Sequence, residues 1–451
     1  MKLIAIALSL FLAASAGAQT NTRDRAAHVL NRLAFGARPA DVERLTDTGI
    51  DRWIEQQLRP ETIGDSALEA RLAQYATLTM DPEEIVERYY EPIVEARKNA
   101  KKNAQNSETE SEMRPLRKEA QKLIAELSAQ RILRAADSER QLNEVMADFW
   151  LNHFNVFAGK SVDRFLLTSY ERDVIRPNMW GRFDDLLIAT AKSPAMLFYL
   201  DNARSRKGGI NENYAREIME LHTLGVDAGY TQKDVTELAR VLTGWSINRP
   251  KEGSGFVFRR MQHDRDAKVV LGTKIAAGGG MDEGERMIRI LASHPATARH
   301  IAYKLAQRFV ADEPPKALVD RVAKRFLDTK GDLRETVRAV VTSPEFNDPK
   351  YYAAKVKSPF EYAISAVRAV NGKINNPLPL ARELQKMGQP LYFSQPPTGY
   401  AEEAEAWVNS GAILNRINFA IALAGNKMPG IVVGMKNASS LALGSPEFQR
   451  Q

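Results

Sequence analysis

The sequence predicts a mainly α-helical protein: a multi-helix globular bundle with a small β-hairpin insertion and a projecting helical hairpin. Three observations predict it. Apolar residues recur at helical spacing along most of the chain. Glycine stops and proline or Ser/Thr starts punctuate those runs. Strand-like alternation is confined to one stretch after Gly255.

The elements follow in order. "MKLIAIALSLFLAASAGAQT" has Lys2, an apolar run from Leu3 to Ala14, and Ala16-Gly17-Ala18. That pattern predicts a signal peptide over 1–18 and a mature chain from about Gln19, periplasmic or secreted. Residues 19–451 read as a single helical domain. No later stretch has the length of apolar sequence that a membrane-spanning helix needs. "DRAAHVLNRLAFG", "PADVERLTDTG" and "IDRWIEQQL" predict three short helices, the first two ended by Gly36 and Gly49. They form a small N-terminal cap. Residues 81–136 are crowded with charge and carry Glu108, Glu110 and Glu112 before Pro115. They predict a charged helical arm, either two helices joined near Asn106–Met113 or one long helix broken at the proline. The arm is a partner-docking surface or simply a solvated insertion.

From Ser138 to Trp245 the chain is densely apolar and aromatic, and this is the predicted core. Phe256 and Phe258, a turn at His263–Asp266, and Val269–Leu271 predict the β-hairpin. Helices resume at Asp282. Near the C-terminus "GQPLYFSQPPTGY" reads as a Pro-rich loop, a lid or a rigid connector, before a last helix in "GAILNRINFAIAL".

Composition excludes several chemistries. The chain has no cysteine, which removes thiolate metal sites, iron–sulfur clusters, thiol nucleophiles and disulfides. A net charge of +7, from 63 basic and 56 acidic residues, is small and dispersed. It suits an anionic envelope surface, and no basic stripe points to nucleic acid. Walker, zinc-protease and nucleophile-elbow motifs are lacking.

"NYAREIMELHTLG", Asn213 to Gly225, carries the candidate site. Residues three or four apart share a helix face, so Asn213, Glu217 and Glu220 form one polar stripe beside Arg216. Paired carboxylates suit a divalent metal or general acid–base work; a solvated Glu/Arg stripe is the plainer alternative. His222 lies five residues past Glu217, some 140° away on a regular helix. His153 in "FWLNHF" sits among aromatic residues as a second candidate. Together Glu217, Glu220, His153 and His222 are the candidate catalytic groups, and Glu217, Glu220 and His153 the candidate ligands of one divalent metal. The E-x-x-H spacing of di-iron bundles is absent. Arg216 and Arg240 are candidates to clamp an anionic group, with Asn213 and Trp245 as further substrate contacts. His28, His294 and His300 read as structural.

The stretches "HVLNRLAFGARPADVERL", "FWLNHFNVFAGK", "SPAMLFYLDNARSRKGGINENYAREIMELHTLGVDAGYTQKDVTELARVLTGW", "HDRDAKVVLG" and "GAILNRINFA" together resemble one bacterial family, known as domain of unknown function 1800. The resemblance spans nearly the whole chain after the leader. It implies an exported, mostly helical bacterial protein and a neighbouring exported partner; it implies no particular reaction. Two functions stay open: an exported enzyme, with or without a divalent metal, with its site between the core helices and a small-molecule or envelope ligand, or a non-catalytic envelope scaffold acting with that partner.

Overall fold

A computed structural model describes residues 21–103, 106–248 and 255–451, with side chains between 100 and 110 outside the description. The expected leader lies outside the described residues, and Glu108 and Glu110 are described by backbone alone, within the helix Asn106–Asp137. The fold is mainly α-helical, with short two-stranded sheets only. No described helix is long and apolar enough to cross a membrane.

The N-terminal cap consists of a helix over 21–33 and the helices Asp41–Thr48 and Ile50–Gln57. Its tie to the body is electrostatic as well as apolar. Arg38 and Arg368 both donate to the Ala136 carbonyl, at 2.6 and 2.7 Å. That carbonyl ends the helix Asn106–Asp137, whose last oxygens have no helical partner and carry the negative end of its dipole.

The arm is made of Pro82–Ile85, a π-turn at Val86–Tyr90, Glu91–Asn103 and the long Asn106–Asp137. Pro115 lies inside that last helix, which continues through it. The arm carries its own small core, with Ile85, Tyr89, Ile93, Met113 and Leu123 packed against Phe165.

The expected hairpin is different in detail. Phe256–Phe258 does not pair with the strand after the turn; it pairs antiparallel with Trp245–Ile247. Lys268–Val270 pairs instead with Thr273–Ile275. The second pair is closed by Leu271 and Gly272, both at positive φ (48° and 73°), the two-residue turn whose twist matches a hairpin. Between the two pairs, the short turn Arg260–Gln262 and the buried His263 redirect the chain.

One hydrophobic core runs from the cap through Gln141–His153, Phe183–Lys192, Gln232–Val241, Met281–Ser293, Pro295–Phe309 and Pro359–Ala369. A buried ionic network crosses it. Asp148 accepts from Arg131 and, at 3.2 Å, from Arg308. Arg308 also meets Glu361 at 2.9 Å and Glu402 at 3.3 Å. Glu361 is buried, which alone would raise its pKa, yet Arg308 and further donors hold the carboxyl below its ordinary range. The space among these groups is only about 20 Å³, room for one water.

Candidate functional site around Tyr199

The opening stretch folds as Asn213–Glu217 running into a π-turn, Ile218–Thr223. Leu224 N donates to Met219 O at 2.8 Å, an i→i+5 bond that widens the turn. Regular helical geometry fails here, and His222 turns into the core, 1% exposed. Glu217 and Glu220 stay on the half-buried face, and Asn213 faces solvent.

His153 and His222 are neighbours, with ring centroids 6.0 Å apart and His153 Nε2 3.2 Å from the His222 carbonyl. His153 packs against Phe149, Trp150 and Phe154. His300 joins them, 6.1 Å from His153, with Nε2 3.0 Å from Leu221 O. Burial pushes all three imidazoles down: His222 to about 3, His300 to about 4, and His153 well below its ordinary value. Neither ring nitrogen of His222 has a protein partner. These are neutral imidazoles inside an aromatic core.

Among the described residues, no three His, Asp or Glu side chains are grouped so as to hold a metal ion. Glu217, Glu220 and His153 are therefore not brought together as a metal centre. The reason is the aromatic packing that holds His153 inward while the two glutamates face the surface.

The other expected contacts are already engaged. Arg216 donates to Gln232 at 2.7 Å and pairs loosely with Glu212. Arg240 is held by Asp264 at 2.7 Å and Glu237 at 2.8 Å. The two arginines thus serve separate ion pairs and form no common clamp. Trp245 is fully buried, its ring against Gly284 and Phe256, and acts as a core plug.

What remains unsatisfied lies one layer away. Burial, and then the Glu220 charge, raise the Glu217 carboxyl above its ordinary range against the opposing pull of Arg216. Glu217 acts electrostatically on Tyr199, and from elsewhere in the chain so does Asp163. Asp163 is fully buried, and neither carboxylate oxygen finds a hydrogen-bond partner. Burial pushes its pKa up to about 9; Lys160 opposes the shift and Asp201 adds to it. A buried carboxyl with no cationic partner close enough to pair is held protonated at neutral pH. Lys160 reaches the Tyr199 carbonyl at 2.5 Å and Asp201 at 2.9 Å.

The Pro-rich loop closes one side. Tyr199 donates its hydroxyl to Gln395 O at 2.7 Å, and Asn155 donates to Ser394 O and Pro396 O. Asn152 binds Tyr400 through both its carbonyl and its amide. The loop is a pinned connector rather than a free lid. The site reaches solvent on the side of Lys160, Asp201 and Glu217.

Ser161 and Asp201, which follow Lys160 and Leu200, adopt positive φ (47° and 60°), a conformation that costs a non-glycine residue on the order of 1 kcal/mol or more; others such as Ala40, Lys330 and Asn426 do so elsewhere in the chain.

Asp163, Tyr199, Lys160 and Asp201 were not among the sequence candidates. They lie within or just beyond the quoted stretches "FAGK" and "FYLDNARS". The one local signal is the acid of "SVDRFLL", which follows Val162 and stands beside Arg164 ahead of an apolar run.

No curated protein and no solved structure matches the chain. A family model does, over residues 28–450, and the chain belongs to that family, protein of unknown function (DUF1800).

Proposed function

We propose that the protein is an exported enzyme that carries out general acid–base chemistry at the Tyr199 site. One observation carries the reading: two carboxyl groups with raised proton affinity, Asp163 and Glu217, flank a single tyrosine, and neither is neutralised by an ion pair. Titratable groups pushed away from their ordinary values are common equipment of proton transfer. Glu217, half-buried and free of protein hydrogen bonds, is the group that meets substrate and exchanges a proton with it. Asp163 is a positioning residue that acts through the electrostatics of Tyr199. With Glu217 and Glu220 nearby and Lys160 already paired with Asp201, the site disfavours anions, so the substrate is a neutral or cationic polar group.

The test is a panel of neutral glycan, ester and amide substrates, run from pH 4 to 9 on wild type and Glu217→Gln. Turnover reduced about 100-fold or more in the variant, with its fold intact, supports the reading. Equal rates in the two proteins on every substrate turned over reject it.

The saturated network at Arg308 favours a second reading, an envelope scaffold whose polar interior holds helices in register. There, replacing the outer part of the arm, residues 97–110, by a short glycine linker abolishes capture of the neighbouring exported protein while the fold stays intact; unchanged capture counts against it.

A further inference from the structure

The helix Ser410–Ala424 is apolar on two faces. Ala412, Phe419, Ala420 and Leu423 face the core, and the one charged residue, Arg416, is fully buried and donates to Lys357 O at 2.8 Å. On the far side Ile413, Leu414, Ile417 and Ile421 fall within about 100° of arc, and all four are exposed, Leu414 by 58% and Ile421 by 55%. Asn415 and Asn418 occupy the strip between the two faces, and an apolar face of this width is ordinarily covered. Yet this one lies on the surface and presents no charge there.

Its surroundings continue the pattern. Val408, Val432, Met435 and Leu441, the last 86% exposed, also stand open to solvent. The short turn of helix Ser440–Gly444 packs along the edge of the stripe, with Gly444 facing Ile417 and Ala420. Residues 408–446 contain no aspartate or glutamate, in a chain with 56 acidic residues. The cations of this segment are the buried Arg416 and the exposed Lys427 and Lys436. Isolated exposed apolar side chains are ordinary, but a contiguous stripe marks a docking surface.

We propose that this face lies on an anionic lipid surface. Charge complementarity selects the occupant. An apolar stripe accompanied by lysines, on a stretch whose nearest acids in sequence are Glu405 and Glu447 at its two ends, is what an interfacial helix needs: apolar side chains at the acyl boundary, cations at the headgroups. The site around Tyr199 would then work beside a membrane to which the chain is bound peripherally, since no described helix spans one.

The test is vesicle flotation of the chain from Gln19 onward, so that the apolar stretch Leu3–Ala14 contributes nothing. Vesicles of phosphatidylethanolamine and phosphatidylglycerol are compared with vesicles of phosphatidylcholine alone. The expected result is binding to the anionic vesicles at least tenfold stronger than to the neutral ones, weakened by salt. Leu414→Ser with Ile421→Ser should lower it tenfold or more, as should Lys427→Glu with Lys436→Glu. The changed side chains are exposed, so thermal unfolding should be unaffected. No flotation with the anionic vesicles, or binding untouched by the Leu414/Ile421 pair, overturns the proposal. So does a wild-type dimer that the Leu414/Ile421 variant loses, without lipid binding, since a second copy would then be the occupant.

Discussion

Two regions of this molecule bury titratable groups, and they do it in opposite ways. Around Arg308 the groups are charged and paired: Asp148, Glu361 and Glu402 share one guanidinium, and almost no space is left. Around Tyr199 the Lys160–Asp201 ion pair is half-exposed, while the fully buried acid is neutral and unpaired. Asp163 has no partner for either oxygen, and the nearby imidazoles of His153, His222 and His300 are held uncharged by burial. The first arrangement fixes helices in place and leaves no proton to exchange at neutral pH. The second stores proton affinity that chemistry can draw on. The difference separates architecture from candidate chemistry where residue type alone does not, since acids and bases fill both regions.

Mild acid separates the two regions most strongly. His28, His153, His222 and His300 all have depressed folded pKa values, two of them about 3 and one about 4. Above the unfolded value near 6.5 the neutral form is present in both states. As pH falls below it, the unfolded chain takes up protons that the folded chain refuses, and stability is lost down to the folded values. Each histidine should cost about 2 kcal/mol between pH 7.5 and 5. In the Arg308 region Glu361, whose folded value Arg308 helps to hold low, loses its contribution only as pH falls below the ordinary carboxylate range. Urea unfolding across pH 5–8 reads this directly. A flat profile would mean that the imidazoles are solvated or paired.

Removing the shared cation comes next. Arg308→Ala leaves three carboxylates buried without their counter-charge, and should cost about 3–5 kcal/mol in chemical unfolding at pH 7. Asp163→Asn should act in the opposite direction. A raised folded pKa contributes stability that is complete below the unfolded value and lost as pH rises toward about 9. At pH 8 the native Asp163 therefore weighs against folding, and the uncharged amide should stabilise the protein by about 2 kcal/mol or more while leaving stability near pH 4 unchanged. The same substitution should lower turnover, the usual trade between stability and an active site.

Smaller effects are expected from the plug and from the open acid. Gly284→Ala would place a methyl carbon 2.5 Å from the Trp245 ring and should cost about 1–3 kcal/mol of thermal stability. Glu217→Gln should change stability by less than about 0.5 kcal/mol, because its carboxyl has no protein partner to lose.

Much of the fold was legible because it follows from periodicity and punctuation. Gly36 and Gly49 end the helices before them at positive φ, and Thr231 with Asp234 forms a capping box. Strand pairing was not legible: Phe256–Phe258 finds its partner upstream at Trp245–Ile247, a choice set by tertiary packing rather than alternation. Of the site, Glu217 and Glu220 were legible as a stripe and His153 as an aromatic neighbour. The π-turn that buries His222 was invisible to a 100° wheel. Asp163 and Tyr199 were missed because their meaning depends on what surrounds them in space, and no spacing along the chain encodes an unsatisfied oxygen.

The most direct test of the central claim is the infrared difference spectrum of wild type against Asp163→Asn, followed from pH 5 to 10. Asp163 held neutral inside the site predicts a protonated carboxylic acid band at pH 7 that disappears only near pH 9. A carboxylate band already present at pH 5 would mean that Asp163 is ionised and paired, and the distinction between the two regions would fail.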